Sequence, residues 1–141
     1  MVRKASLWCV AGAILMFTVP LAAHHSVSAE FDSNKPITFT GKVVKVEWMN
    51  PHIYTHVEAK DPETGKMTVF KVEGGPPNSL FRQGWRKDTV KTGDTVSVSG
   101  VRAKIATSTN IGLATITTAD GKRLFGSQGA GGARGQGTQQ Q

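Results

Sequence analysis

The sequence predicts an all-β domain with little helix, on three observations. Short runs rich in β-branched residues recur between turn signals. Apolar and polar residues alternate within them at period two. One stretch, Asn78–Arg86, replaces that alternation with helical spacing.

The first predicted strand is Ile37–Met49 (ITFTGKVVKVEWM). Ile37, Phe39 and Val43 share one parity, and Val44, Val46 and Trp48 share the other, with the switch just after Gly41. A phase change beside a glycine predicts a β-bulge or a sharp coil in a long strand. Asn50-Pro51 marks a turn. The second strand, His52–Lys60, turns Ile53, Thr55, Val57 and Ala59 one way and His52, Tyr54, His56 and Glu58 the other. Asp61–Lys66 is a hairpin loop with Pro62 early and Gly65 late. The third strand is Met67–Glu73, with Phe70 and Val72 as core residues. Gly74-Gly75-Pro76-Pro77 stops the sheet. The helix that follows presents Leu80, Phe81 and Trp85, is capped by Asn78 or Ser79, and is limited by Gly84. Asp94–Ala103 and Gly112–Thr118 supply the fourth and fifth strands, and Lys122–Phe125 a short extension after the Asp120-Gly121 turn. Three strands, one short helix and two strands is the order of a five-stranded OB-like barrel; a small sandwich or roll uses the same elements. Trp48 and Trp85 lie in apolar patterns and are expected to pack in the core.

Outside this domain the composition changes. Arg3 and Lys4 precede Leu7–Val19, an uncharged apolar run of thirteen residues, and Pro20 and Ala22-Ala23 follow it. The run is too short to cross a hydrocarbon core about 30 Å thick, so residues 1–23 read as a signal-peptide helix cut after Ala23, which addresses the chain to the periplasm or the medium. Residues 24–36 are a polar, irregular extension, 37–125 the β domain, and 126–141 a Gly/Gln-rich tail without apolar periodicity, expected to be disordered. Cys9 is the only cysteine and lies in the signal, so the exported chain has no disulfide, thiolate nucleophile or cysteine metal site. Cleavage removes two bases and no acid, taking the formal charge from +7 to +5. The bases are scattered, and nucleic acid is not an expected partner of an exported protein. Nor is integral membrane insertion expected once the signal is removed.

Four stretches together carry a resemblance: Ala23-His24-His25-Ser26 with Glu30-Phe31-Asp32; Gly41–His52, which contains Trp48-Met49-Asn50-Pro51-His52; Val72-Glu73 with Asn78-Ser79-Leu80 and Gly84-Trp85; and Gly93–Gly100. The chain resembles, over roughly residues 23–121, a family of small exported bacterial proteins known as domain of unknown function 6152. The Trp-x-Asn-Pro-His element combined with the early His-His-Ser is the specific part; Gly-Asp-x-Val-x-Val-x-Gly is common in β-barrels. The resemblance implies a periplasmic, β-rich domain and no established activity.

No nucleophile elbow, phosphate loop, dinucleotide fingerprint or His-Glu-x-x-His stretch is present. Three readings of function follow. In the first, the domain is a non-enzymatic binding or accessory module. It takes a small ligand, a metal or a periplasmic partner on the outer face of strands two and three, through Tyr54, His56 and Lys71, with Val69 beside them. In the second, it is a copper-binding protein. Cleavage after Ala23 exposes the α-amino group and imidazole of His24 as a chelating pair, and His25 or His52 adds a nitrogen suited to Cu(II). His52 and His56, four apart on a regular strand, lie about 13 Å from one another and do not share an ion. The third reading is an enzyme whose reaction has no assignable residues. Against all three stands the plain alternative that the histidines tolerate solvent and hydrogen-bond a turn.

The short apolar run yields a direct prediction. Mass spectrometry of the exported protein should find a chain that begins at or within a residue or two of His24; recovery of intact residues 1–23 in a membrane fraction would contradict the signal reading.

Overall fold

The computed structural model describes residues 27–125. The expected signal peptide, His24, His25 and the tail lie outside these residues. The fold is mainly β. One helical turn, α1 (Val27–Glu30), leads into β1 (Phe31–Trp48); β2 (Ile53–Lys60), β3 (Met67–Glu73), the short α2 (Pro77–Arg82), β4 (Thr95–Ala103), β5 (Asn110–Thr118) and β6 (Arg123–Phe125) follow. The six strands form one sheet in the order β3-β2-β1-β4-β5-β6. Neighbours in that order are antiparallel, and a further parallel pairing joins β3 to β5 at Lys71–Asn110 and Val72–Ile111. The pairings of β1 to β5 therefore close into a ring, with β6 on the stretch of β5 that β3 leaves open.

The strand at 37–49 is longer than its sequence predicts. It begins at Phe31, within the stretch expected to be irregular. Phe31 is buried against Gly112, and the register between β1 and β4 slips between Phe31 and Pro36, where the polar Ser33-Asn34-Lys35 is exposed. Alternation is interrupted there, so the sequence pattern hides the strand. β1 then serves two partners. Its first part pairs with β4 as far as Lys42–Thr95, and its last part pairs with β2 from Lys42–Glu58 to Trp48–Ile53.

The phase change in β1 is real and lies three residues beyond Gly41. Val43 pairs with Val57 and Lys45 with His56, leaving Val44 as the extra residue of a bulge. Val43 is fully buried and Val44 is exposed. Gly41 has a separate role: a Cβ there would stand 2.3 Å from the Glu58 carbonyl oxygen, so β1 and β2 approach too closely for any side chain.

The core is filled as the alternation predicts. Ile37, Phe39 and Val43 of β1, Ile53, Val57 and Ala59 of β2, Phe70 and Val72 of β3, Val96 and Val98 of β4 and Ile111, Ala114 and Ile116 of β5 form one buried cluster. Phe39 stacks on Phe70 with ring centroids 4.4 Å apart. Trp85 is 2% exposed, whereas Trp48 is half-buried at the edge of the cluster.

α2 is shorter than its spacing predicts, and neither Asn78 nor Ser79 caps it through a side chain. Pro76 occupies the cap position and Pro77 the first helical turn, where a missing N–H costs nothing. The helix stops in a Schellman arrangement: Gly84, at φ +91°, donates its N–H to Phe81, and Trp85 donates to Leu80. Trp85 is thus carried by the turn after the helix, not by the helix, and is folded back beneath it beside Leu80.

The β2–β3 turn, at the opposite end of β3 from α2, is held by a charged lock. Arg102 of β4 donates to both carboxylate oxygens of Asp61, at 2.6 and 3.4 Å, and lies 3.3 Å from Glu63. The guanidinium beside it holds the Asp61 carboxyl below its usual range.

Because Trp85 fills space beneath α2, Trp85→Ala should cost about 3–5 kcal/mol, measured by equilibrium denaturation. A near-neutral result would show that the site collapses without it.

Candidate functional site

The outer face of β1, β2 and β3 collects most of the polar chemistry. Ile53, Thr55 and Val57 point inward, so Tyr54 and His56 must point out. Across the ladder Tyr54 lies opposite Glu47 on one side and Glu73 on the other, and His56 lies opposite Lys45 and Lys71. The bulge at Val44 sets this arrangement. Without it Lys45 and Glu47 would keep the parity of Val43 and face the core.

The side chains interact as the register dictates. His56 Nε2 lies 2.8 Å from a Glu47 carboxylate oxygen, and Lys45 donates to the other Glu47 oxygen. The Lys71 ammonium sits 3.9 Å above the Tyr54 ring, a cation–π contact. His52, at the end of the β1–β2 turn after the cis Asn50–Pro51 peptide, places Nδ1 2.6 Å from Glu73 and meets the Tyr54 ring edge-on with centroids 6.4 Å apart. Glu30, at the end of α1, accepts a 3.3 Å hydrogen bond from Asn110, whose neighbour across the seam is Lys71.

These contacts shift two groups. Hydrogen bonds from Lys45 and then His56 pull the Glu47 carboxyl down to about 2. Burial, and after it the charges of Glu73, Glu30 and Glu47, pushes the Tyr54 phenol above its ordinary value. Tyr54 is therefore a neutral hydroxyl among carboxylates, not a phenolate.

The structure brings Tyr54, His56 and Lys71 together, and His52 joins them through Tyr54. Val69 is exposed on the same face of β3 as Lys71. His52 and His56 have separate carboxylates, Glu73 and Glu47, on either side of Tyr54. His24 and His25, the other candidate metal ligands, lie outside the described residues. Among the described residues no group of three or more His, Cys, Asp or Glu side chains is arranged to hold a metal ion.

Glu47, Glu73, Lys45, Glu30 and Asn110 belong to the site but are not singled out by the sequence. Lys71 and Glu73 share a parity, as do Lys45 and Glu47, so alternation held a signal for these four. What it lacked was the inter-strand register. The Glu30–Asn110 contact spans 80 residues and has no local signal.

A family model described as Family of unknown function (DUF6152) matches residues 13–112, from the apolar run to the third residue of β5. The chain belongs to this family. In this member of DUF6152, the Trp48–His52 element forms the β1–β2 turn and delivers His52 to Glu73. No curated protein and no solved structure gives a significant match.

The depressed Glu47 carboxyl makes a pH prediction. A group whose pKa is lowered on folding adds stability above its unfolded value, 4.5, and that contribution is lost as pH falls through the folded value of about 2. Glu47→Gln should therefore lower the thermal midpoint at neutral pH, and the gap to the unmodified protein should close between pH 4.5 and about 2. A gap that stays constant down to pH 2 would remove the Lys45–Glu47–His56 contacts from the stability of the fold.

Proposed function

We propose that this protein is a non-enzymatic binding or accessory module of the periplasm, built on an OB-like barrel, that takes a small polar ligand on the outer face of β1–β3. The cyclic pairing β1-β2-β3-β5-β4, with α2 between β3 and β4, supports the OB-like reading, and such folds bind along strands two and three. One observation carries the functional reading: side chains from three strands form a connected polar surface around one aromatic ring. Lys71 covers the Tyr54 ring, His52 meets its edge, and Glu47 and Glu73 flank it in the ladder. Such a surface is pre-organised, since Glu47 and His52 are already oriented by partners.

A second reading, copper binding, draws support from His52. Its Nδ1 is engaged by Glu73, which is the carboxylate–histidine arrangement that orients a metal-ligating imidazole and leaves Nε2 as the donor. The α-amino group and ring of His24 would complete the set, with His25 as the alternative to His52.

One titration series distinguishes them. Thermal shifts are measured with amino acids, simple sugars, dicarboxylates and Cu(II), using the exported protein, Tyr54→Ala, Lys71→Ala and His52→Ala. The binding-face reading expects an organic ligand whose stabilisation disappears in both Tyr54→Ala and Lys71→Ala; stabilisation that survives both moves the site elsewhere. The copper reading expects stabilisation by Cu(II) that is lost in His52→Ala, weakens as pH falls because imidazole and amine bind a metal only when deprotonated, and falls when one residue is added ahead of His24. Copper binding indifferent to that added residue excludes the N-terminal chelate.

A further inference from the structure

At the end of the ring where β1 turns into β2, apolar side chains remain uncovered. Trp48 is half-buried and meets Phe81 of α2 edge-on, with ring centroids 5.3 Å apart. Phe81 is 39% exposed and Met49, next to Trp48, is 47% exposed. The core is already filled on this side, since α2 and the turn after it send Leu80 and Trp85 inward.

The surrounding charge is mainly positive. Arg86 lies over the Phe81 ring at 5.5 Å and is tied by hydrogen bonds to the Phe81 and Trp85 carbonyl oxygens. Arg82, Lys87 and Lys91 are exposed within residues 82–94, against two acids, Asp88 and Asp94, the second of which accepts the Lys91 backbone N–H. None of these four cations forms an ion pair with a carboxylate among the described residues, whereas Lys45 and Arg102 both do. The ligand face of β1–β3 is different in character, since it mixes carboxylates with cations.

We propose that this end of the molecule is a peripheral docking surface for an anionic lipid bilayer. Aromatic and Met side chains enter the boundary between headgroups and acyl chains, and a basic collar holds the negative surface. Neither signal suffices alone, and the two together give reversible attachment. Unpaired cations on a short helix and its following turn suit a diffuse layer of negative charge, which demands no fixed hydrogen-bond geometry. A folded acidic protein would demand it. The surface is independent of the ligand face and of the copper reading. Attachment would present β1–β3 beside the membrane without inserting the domain in it.

Vesicle co-sedimentation of the full chain tests the proposal, with phosphatidylcholine alone and with phosphatidylcholine containing phosphatidylglycerol. The variants are Arg82→Gln/Lys87→Gln/Lys91→Gln, which spares the structural Arg86, and Phe81→Ser; thermal midpoints confirm that each is folded. Expected is binding that requires phosphatidylglycerol, weakens with salt, falls about fivefold in partition coefficient for each cation removed, and falls again in Phe81→Ser. Binding equal on both vesicle types, or unchanged in the triple variant, would overturn the proposal and assign attachment to the apolar run at residues 7–19. No sedimentation with either lipid at low salt would also overturn it, leaving a protein partner as the occupant to seek.

Discussion

The extra residue at Val44 is the constraint on which the rest of the arrangement depends. Side chains alternate strictly along a strand, so a strand 18 residues long can serve one interior only while its phase is kept. β1 passes from β4 to β2 near Lys42 and must turn a different set of residues inward after the crossing. One unpaired residue does this. It lets Val43 finish one inner row, lets Val46 and Trp48 begin another, and puts Lys45 and Glu47 outside.

The two ends of the ring are closed by unlike means. At the α2 end the plug is apolar, Leu80 and Trp85 under a helix whose short length is fixed by Pro77 and Gly84. At the β2–β3 turn it is ionic, with Arg102 bridging Asp61 and Glu63. Arg102 stands at the edge of the core, its guanidinium 5.8 Å from the Phe70 ring. A charge so placed is tolerable because Asp61 accepts from both terminal nitrogens of Arg102, although the buried Nε makes no hydrogen bond, and removing Asp61 alone would leave the guanidinium without its main partner.

Much of this was legible in sequence. Period-two alternation fixed the inner rows of β2, β3 and β4, and the break in it after β3 located α2, whose start at Pro77 and end at Arg82 differ from the Asn78–Arg86 span and the Asn78 or Ser79 cap that the spacing predicts. Tyr54, His56 and Lys71 follow from parity alone. Three things were not legible, each for a physical reason. β1 begins at Phe31 because a distant Gly112 makes room for that ring, and no local pattern reports it. The bulge falls at Val44 and not beside Gly41 because both residues disturb the strand, one by an extra position and the other by close approach, and sequence cannot tell a kink from a contact. The acidic members of the site depend on inter-strand register, which belongs to the folded ring and not to any one strand.

The seam between β3 and β5 is only two residue pairs long, strengthened by the Lys71 N–H donated to Thr109. Every other neighbouring pair of strands in the ring is held by a longer ladder. A closed cycle of strands has no edge until one pairing opens, and the least costly opening is the shortest one. Opening at this seam breaks the fewest ladder pairs, so amide hydrogens around Lys71 are expected to exchange through excursions smaller than global unfolding. Lys71 also rests on Tyr54 of the neighbouring strand. A ligand that clasped that lysine to that tyrosine would act as a latch on the seam, so occupancy of the proposed face and closure of the ring would share one free energy.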